Sequence, residues 1–293
     1  MITIERVSKR FGKTAAVDDV SLDIPAGDSV ALWGTNGAGK TTLIRCVLGL
    51  LRFRGRVRVG GFDVRTRGKP ARRLIGYVPQ ELGFYDDLGV AAAVRYFARL
   101  RAVDGVEVEK VLASVGLEGH GGKRIRELSG GMKQRLALGI ALLGDPPVLV
   151  LDEVTASLDA CGREAFIALL SGLAGSGKSL LFASHRVDEV TALARRVVLL
   201  EKGRVTGEVS PQDLGVRLGA QTVLHITLHD RVRGRAIDVL RARGFPARLN
   251  GVGVLVPVPA VQKVAPLRIL AEERIDIEDF ELLGASTHEE HRP

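Results

Sequence analysis

The chain has 293 residues, enough for one large domain or two, and carries 42 Lys and Arg against 34 Asp and Glu, a formal net charge of +8. Its two cysteines, Cys46 and Cys161, lie far apart and form no C-x-x-C pair, which argues against a disulfide scaffold and for a reducing cytosol. No apolar run reaches the roughly 20 residues that span a bilayer, Arg6, Lys9 and Arg10 interrupt any signal peptide, and no basic patch interleaved with aromatics points to nucleic acid.

In chain order, Ile2 to Val7 alternates as a strand, a turn covers Ser8 to Lys13, and Ala16 to Ile24 is a second strand. Together they predict an antiparallel β element. Phe11, in the turn, can stack on an adenine ring or simply pack. Ser29 to Trp33 reads as a buried strand. It runs into Gly34, Thr35, Asn36, Gly37, Ala38, Gly39, Lys40, Thr41 and Thr42, a phosphate-binding loop of the form G-x-x-x-x-G-K-[ST]. The glycines let successive N–H groups turn into one cavity. Lys40 supplies positive charge for β- and γ-phosphates, and the Thr41 hydroxyl suits Mg²⁺. Lys40 to Leu51 reads as a helix whose N-terminus faces the phosphates.

Beyond the loop, the basic run Arg52 to Arg58 reads as a solvated hairpin. Leu74 to Pro79 is a strand that ends at Gln80, a position from which an amide reaches a metal or a water. Val90 to Arg101 and Val106 to Val115 have helical spacing. Ser129, Gly130 and Gly131 open a further helix running to about Leu143, a second anion site that makes sense if two chains face each other. Val148 to Leu151 is a strand buried on both faces, followed by two carboxylates. Asp152 suits a Mg²⁺ contact and Glu153 the orientation or deprotonation of an attacking water. Asp159 closes a polar turn before a helix from Arg163 to Leu173. Gly172 to Ser179 repeats the phosphate-loop pattern but with helix before and strand after, so it reads as a connection. The strand Leu180 to Ala183 leads to Ser184 and His185, and Val197 to Leu200 with Arg204 to Glu208 form a closing hairpin.

These residues resemble the ATP-binding cassette (ABC) ATPase family over about Met1 to Ser210. The likeness rests on Gly34–Thr42 as the Walker A loop, Gln80 as the Q-loop and Leu128-Ser129-Gly130-Gly131-Met132 as the signature. It continues with Asp152 and Glu153 as the end of Walker B, Asp159 in the D-loop and His185 as the switch histidine, with Phe11 at the adenine-stacking position. The resemblance implies a P-loop NTPase α/β fold with a mixed core sheet, an antiparallel β subdomain and a helical subdomain at about residues 84–145. It implies ATP and Mg²⁺, hydrolysis of ATP to ADP and phosphate, and a homodimer that sandwiches two ATP molecules between Walker A of one chain and Ser129 and Gly131 of the other. It further implies a separate multi-span membrane permease, with this chain cytoplasmic and peripheral on the inner face of the cell membrane and no nucleic acid bound. Val154 departs from the proline common after the Walker B glutamate, and Trp33 is bulkier than the usual residue before Gly34. The alternative is a soluble, non-transport ABC ATPase in cluster assembly or remodelling.

For the C-terminal piece, residues 211–219 read as a linker and 220–284 as β-α-β-β-α-β, which suggests a small α+β ferredoxin-like domain. His225 and His229 sit at strand spacing, either as a metal site or as two solvated histidines. Residues 285–293 read as a disordered tail. Such a tail on a single cassette resembles bacterial exporter ATPases, among them those of nitrous oxide reductase maturation, which implies copper or sulfur supply.

Overall fold

A computed structural model describes residues 1–217, 221–250, 253–259 and 264–283. The chain divides into two units, Met1–Pro211 and Gln212–Pro293.

In the first unit, β1 (Ile2–Phe11), β2 (Thr14–Ile24), β4 (Arg54–Val59) and β5 (Phe62–Asp63) form an antiparallel sheet in the order β2-β1-β4-β5. One face is buried: Ile2, Ile4, Val7, Val17, Val57 and Val59 are all at most 2% exposed. Each such side chain contributes about 1.5–3 kcal/mol relative to solvent. The other face is wet, and there Arg56 and Arg58 pair with Glu5, as the hairpin reading requires.

The second sheet has the order β10-β9-β3-β8-β7-β6. It contains β3 (Ser29–Trp33), β6 (Ile75–Val78), β7 (Val148–Asp152), β8 (Ser179–Ser184), β9 (Arg196–Glu201) and β10 (Arg204–Val209). Five strands are parallel and β10 pairs antiparallel to β9. Every residue of β7 and β8 is buried, which explains their unbroken apolar runs: a parallel strand covered on both faces has no solvent side to mark with polar residues. The helix α1 (Lys40–Val47) follows β3, and α2 (Gly68–Arg73) precedes β6. Between β6 and β7 lie α3 (Val90–Arg101), α4 (Val108–Ala113) and α5 (Gly130–Ala141). The C-terminal part of α5 is buried and packs against β6, so the insertion returns to the sheet. Then come α6 (Ala160–Gly175) and α7 (Val187–Leu193). No helix among the described residues is long and apolar enough to cross a membrane.

In the second unit, β11 (Gln221–Thr227), α9 (Asp230–Ala242), β12 (Arg248–Leu249), β13 (Gly253–Pro259), α10 (Ala265–Glu272) and β14 (Asp279–Leu283) follow the element order read from the sequence. The sheet is antiparallel in the order β12-β13-β11-β14, and Leu224, Ile226, Val254, Val256, Leu240 and Leu270 share one core.

Two expectations need correction here. The linker at 211–219 is largely α8 (Pro211–Arg217), because proline at the first helical position lacks only an N–H that has no intrahelical partner anyway. His225 and His229 are not partners on one strand face. β11 ends at Thr227, His229 is the N-cap of α9, and its Nε2 lies 3.1 Å from Glu278 Oε1. No cluster of three metal-ligating side chains occurs among the described residues. The tail at 285–293 lies outside the described residues.

Candidate nucleotide-binding site

The loop Gly34–Thr42 connects the C-terminal end of β3 to α1, and its shape depends on glycine at two places. A Cβ on Gly34 would stand 2.3 Å from Leu200 O, and one on Gly39, at φ +106°, would stand 2.3 Å from Ala16 O. Backbone hydrogen bonds brace the loop from behind. Gly203 N–H donates to Ala38 O at 2.9 Å, and Asp18 N–H donates to Gly203 O at 2.8 Å. These bracing residues, in β2 and the β9–β10 turn, carry no motif, and sequence reasoning did not single them out for the site. The N-cap of α1 is Gly39, with no side-chain cap and no acidic residue in the first turn, so its leading N–H groups remain available to an anion.

Lys40 is 4% exposed. Its Nζ donates to Gly34 O at 2.8 Å and Thr35 O at 3.3 Å and stands 3.3 Å from Glu153 Oε1. Thr41 Oγ1 donates to Asp152 Oδ1 at 3.0 Å. Burial raises the Asp152 carboxyl above the ordinary carboxylate range, the Thr41 hydrogen bond opposes that, and Glu153 adds to it. Tyr77, half-buried on β6, has its phenol raised by burial and then by the Asp152 charge, which puts it beside the site although it belongs to no motif.

Glu153 leaves β7 with φ +47°, a left-handed conformation that costs a non-glycine residue about 1–2 kcal/mol. Its N–H donates to Ala183 O at 3.1 Å on neighbouring β8, which holds the turn. The twist directs the carboxylate to Lys40 on one oxygen and to within 3.4 Å of His185 Nδ1 on the other. His185 is placed by a buried network. Ser184 Oγ and Thr155 Oγ1 donate to Glu189 Oε2 at 2.7 and 3.0 Å, and Arg186 N–H donates to Ser184 Oγ at 3.0 Å. Burial, the largest influence, pushes the Glu189 carboxyl up; the two hydroxyl donors act against it. Glu189 was not legible as a site residue, since an acid inside Val187–Leu193 looks like ordinary helix surface.

The structure therefore brings Lys40, Thr41, Asp152, Glu153 and His185 together. Gln80, Phe11, Ser129, Gly130, Gly131 and Asp159 make no hydrogen bond or ion pair to them among the described residues. Gln80 follows β6 and is exposed. Phe11 ends β1, half-exposed, with Lys9 Nζ 4.7 Å over its ring. Ser129 caps α5, accepting from Met132 N–H at 3.3 Å, and Gly130, exposed, and Gly131, half-buried, begin that helix. Asp159 caps α6, accepting from Gly162 N–H at 2.8 Å, and Leu158 beside it lies 3.7 Å from where a Gly131 Cβ would be. Val154 is buried; nothing in the structure explains the bulk of Trp33. In the repeated pattern at Gly172–Ser179, α6 runs through Gly175, and Lys178 is engaged by Asp145 and Pro146 O, so no cradle forms.

Two hard oxygen donors beside a glycine cradle and a helix N-terminus form a donor set that fits a divalent cation on a nucleotide phosphate. Comparisons with known proteins agree. Residues 17–156 match the family described as ABC transporter. The daunorubicin resistance ATP-binding protein DrrA3 of Streptomyces coeruleorubidus is 31% identical over 290 residues, covering 96% of this chain and 91% of that protein. The linearmycin resistance ATP-binding protein LnrL of Bacillus subtilis is 31% identical over 233 residues, covering 78% and 75%. A Nod factor export ATP-binding protein I of Cupriavidus pinatubonensis is 32% identical over 252 residues, covering 84% and 75%. Among solved structures, an ATP-binding subunit of an ABC transporter superposes with a TM-score of 0.66 at 26% identity, covering 75% of this chain and 93% of that one. A bacterial ABC transporter cassette in dimeric form gives 0.65 at 25%, covering 72% and 99%. The narrower likeness to the ATPases of nitrous oxide reductase maturation draws no support from these names. The chain belongs to the ABC transporter family and is the ATP-binding, ATP-hydrolysing subunit of a transporter.

Proposed function

We propose that this subunit energises export through a separate multi-span permease, working as a homodimer peripheral to the inner face of the membrane. The observation that carries the catalytic part is the convergence of Lys40, Glu153 and His185, with Glu153 Oε1 3.3 Å from Lys40 and Oε2 3.4 Å from His185. In this reading the loop N–H groups and Lys40 hold the ATP phosphates. Thr41, Asp152 and Gln80 would hold Mg²⁺, which would supply positive charge to the phosphates. The Glu153 carboxylate accepts a proton from the water that attacks the γ-phosphorus, and His185 fixes that carboxylate while reaching the γ-phosphate itself. Phe11 stacks on the adenine. Ser129 and Gly130 are exposed and Gly131 is half-buried on one chain, which leaves them accessible to a partner, and Leu158, the neighbour of Asp159, lies against Gly131. The export direction is supported by the names of the export and resistance relatives.

The test is a tagged purification from native membranes in mild detergent, with partners identified by mass spectrometry. A stoichiometric multi-span protein supports the reading. Recovery only in the soluble fraction, with a soluble partner or none, overturns it in favour of a non-transport ABC ATPase.

A further inference from the structure

Away from the nucleotide loop, a cavity of about 760 Å³ opens between α2, the C-terminal end of α3 and the turn after α5. Lys69, Arg72, Arg73, Arg99 and Arg101 line it, and no Asp or Glu does. Several arginines elsewhere on this unit pair with carboxylates. Arg126 pairs with Asp87 at 2.7 Å, and Arg196 pairs with Asp28 at 2.9 Å and Glu208 at 2.8 Å. The five cavity cations have no such carboxylate partner among the described residues. Arg101 is tied down, donating to Ile75 O at 3.1 Å and Arg73 O at 3.5 Å, and burial lowers its pKa from the ordinary guanidinium value. A concave wall of one sign focuses its field, and five cations held close without a counter-charge repel one another. Arginine forks match the planar oxygen pairs of phosphate.

We propose that this cavity binds a phosphate-bearing anion, the shared chemistry of a free di- or oligophosphate and of an anionic phospholipid headgroup. The wall combines α2, next to the core sheet, with the end of α3, in the helical insertion. A bound anion therefore fastens the insertion to β6, the strand that leads into Gln80. Leu100, 63% exposed between Arg99 and Arg101, sits at the rim where an acyl chain would start if the source is lipid.

The test uses the full chain with its nucleotide loop saturated by a non-hydrolysable ATP analogue. Pyrophosphate binding is measured by calorimetry, and retention on vesicles of phosphatidylglycerol is compared with phosphatidylcholine. The variant is Arg72→Glu with Arg99→Glu; both side chains are exposed and neither touches the loop. The expected result is that the parent binds at least one probe, more weakly as salt rises, and that the double variant loses at least tenfold. Loss of pyrophosphate affinity identifies a free anion as the source; loss of phosphatidylglycerol retention alone identifies a headgroup. The milder pair Arg72→Gln with Arg99→Gln serves if charge reversal prevents folding, with a smaller loss expected. Binding of neither probe beyond the loop overturns the proposal. So does equal binding by a variant that keeps its circular dichroism and its affinity for the analogue.

Discussion

Glu153→Gln separates the chemistry of this site from its architecture. Glutamine keeps the volume, the left-handed turn and one oxygen that can accept from Lys40, but it cannot take a proton from water. At 3.3 Å the Lys40–Glu153 attraction is about 5 kcal/mol with an effective dielectric constant near 20, and the cost of desolvating both groups offsets most of it. Lys40 also retains its bonds to Gly34 O at 2.8 Å and Thr35 O at 3.3 Å, so the net loss of folding stability should stay within about 1–2 kcal/mol. Removing a positioned general base typically lowers turnover by about 10²–10⁴-fold, which is about 3–5 kcal/mol of transition-state free energy. The assay is phosphate release at saturating Mg-ATP, run beside a thermal melt and an equilibrium measurement of ATP affinity. The expected pattern is lost turnover, near-parental ATP affinity and accumulation of an ATP-dependent dimer on size exclusion. A variant that hydrolyses ATP within threefold of the parent would refute the role given to Glu153.

Gly39→Ala forces a Cβ to 2.3 Å from Ala16 O at φ +106°, whereas Gly37→Ala, at φ +82°, meets nothing within 4 Å. ATP affinity should fall at least about tenfold for the first, where a φ penalty of about 1–3 kcal/mol adds to a backbone clash, and less for the second; equal affinities would contradict the account of the cradle. Glu189 has a folded-state pKa raised by burial above the 4.5 of ordinary glutamate, so the folded chain holds that proton more tightly than the unfolded one. The stability linked to it is full below the ordinary value and is lost as pH rises through the folded one. Melts across that window should show Glu189→Gln gaining on the parent as pH rises; a constant difference would exclude Glu189 as the source. Burial pushes the Cys46 thiol up to about 11, whereas Cys161 is exposed. Near pH 8 only about one Cys46 in a thousand is thiolate, so an alkylating reagent should label Cys161 alone in the folded chain and both in denaturant, as read by peptide mass. Prompt labelling of Cys46 in the folded chain would contradict the packing of α1.

Phosphate chemistry demands contiguous residues, and so the loop, the acidic strand end and the capped helix at Ser129 were all legible. Tight backbone turns, a lysine and a hydroxyl must follow one another along the chain to surround one anion. Buried parallel strands were equally plain, since Val148–Asp152 has no solvent face on which to place polar residues. Helix bounds were less plain, because proline and glycine do not always stop a helix. Pro211 and Pro70 sit in the first turns of α8 and α2, where a missing N–H breaks no helical bond, and α6 runs on through Gly172 to Gly175.

The sequence by itself thus determined the family, the anion cradle and the identity of each reactive group. It did not determine which of those groups meet. Lys40, Glu153 and His185 are separated by more than a hundred residues at the first step, and they converge because β3, β8 and β7 lie side by side in register. Sheet order also brings Gly203 against the loop and buries Glu189 behind His185. The same tertiary packing aligns α2 with the end of α3, so that five cations face one cavity. Local propensity sees only neighbours along the chain, whereas each of these contacts is a consequence of strand pairing across it.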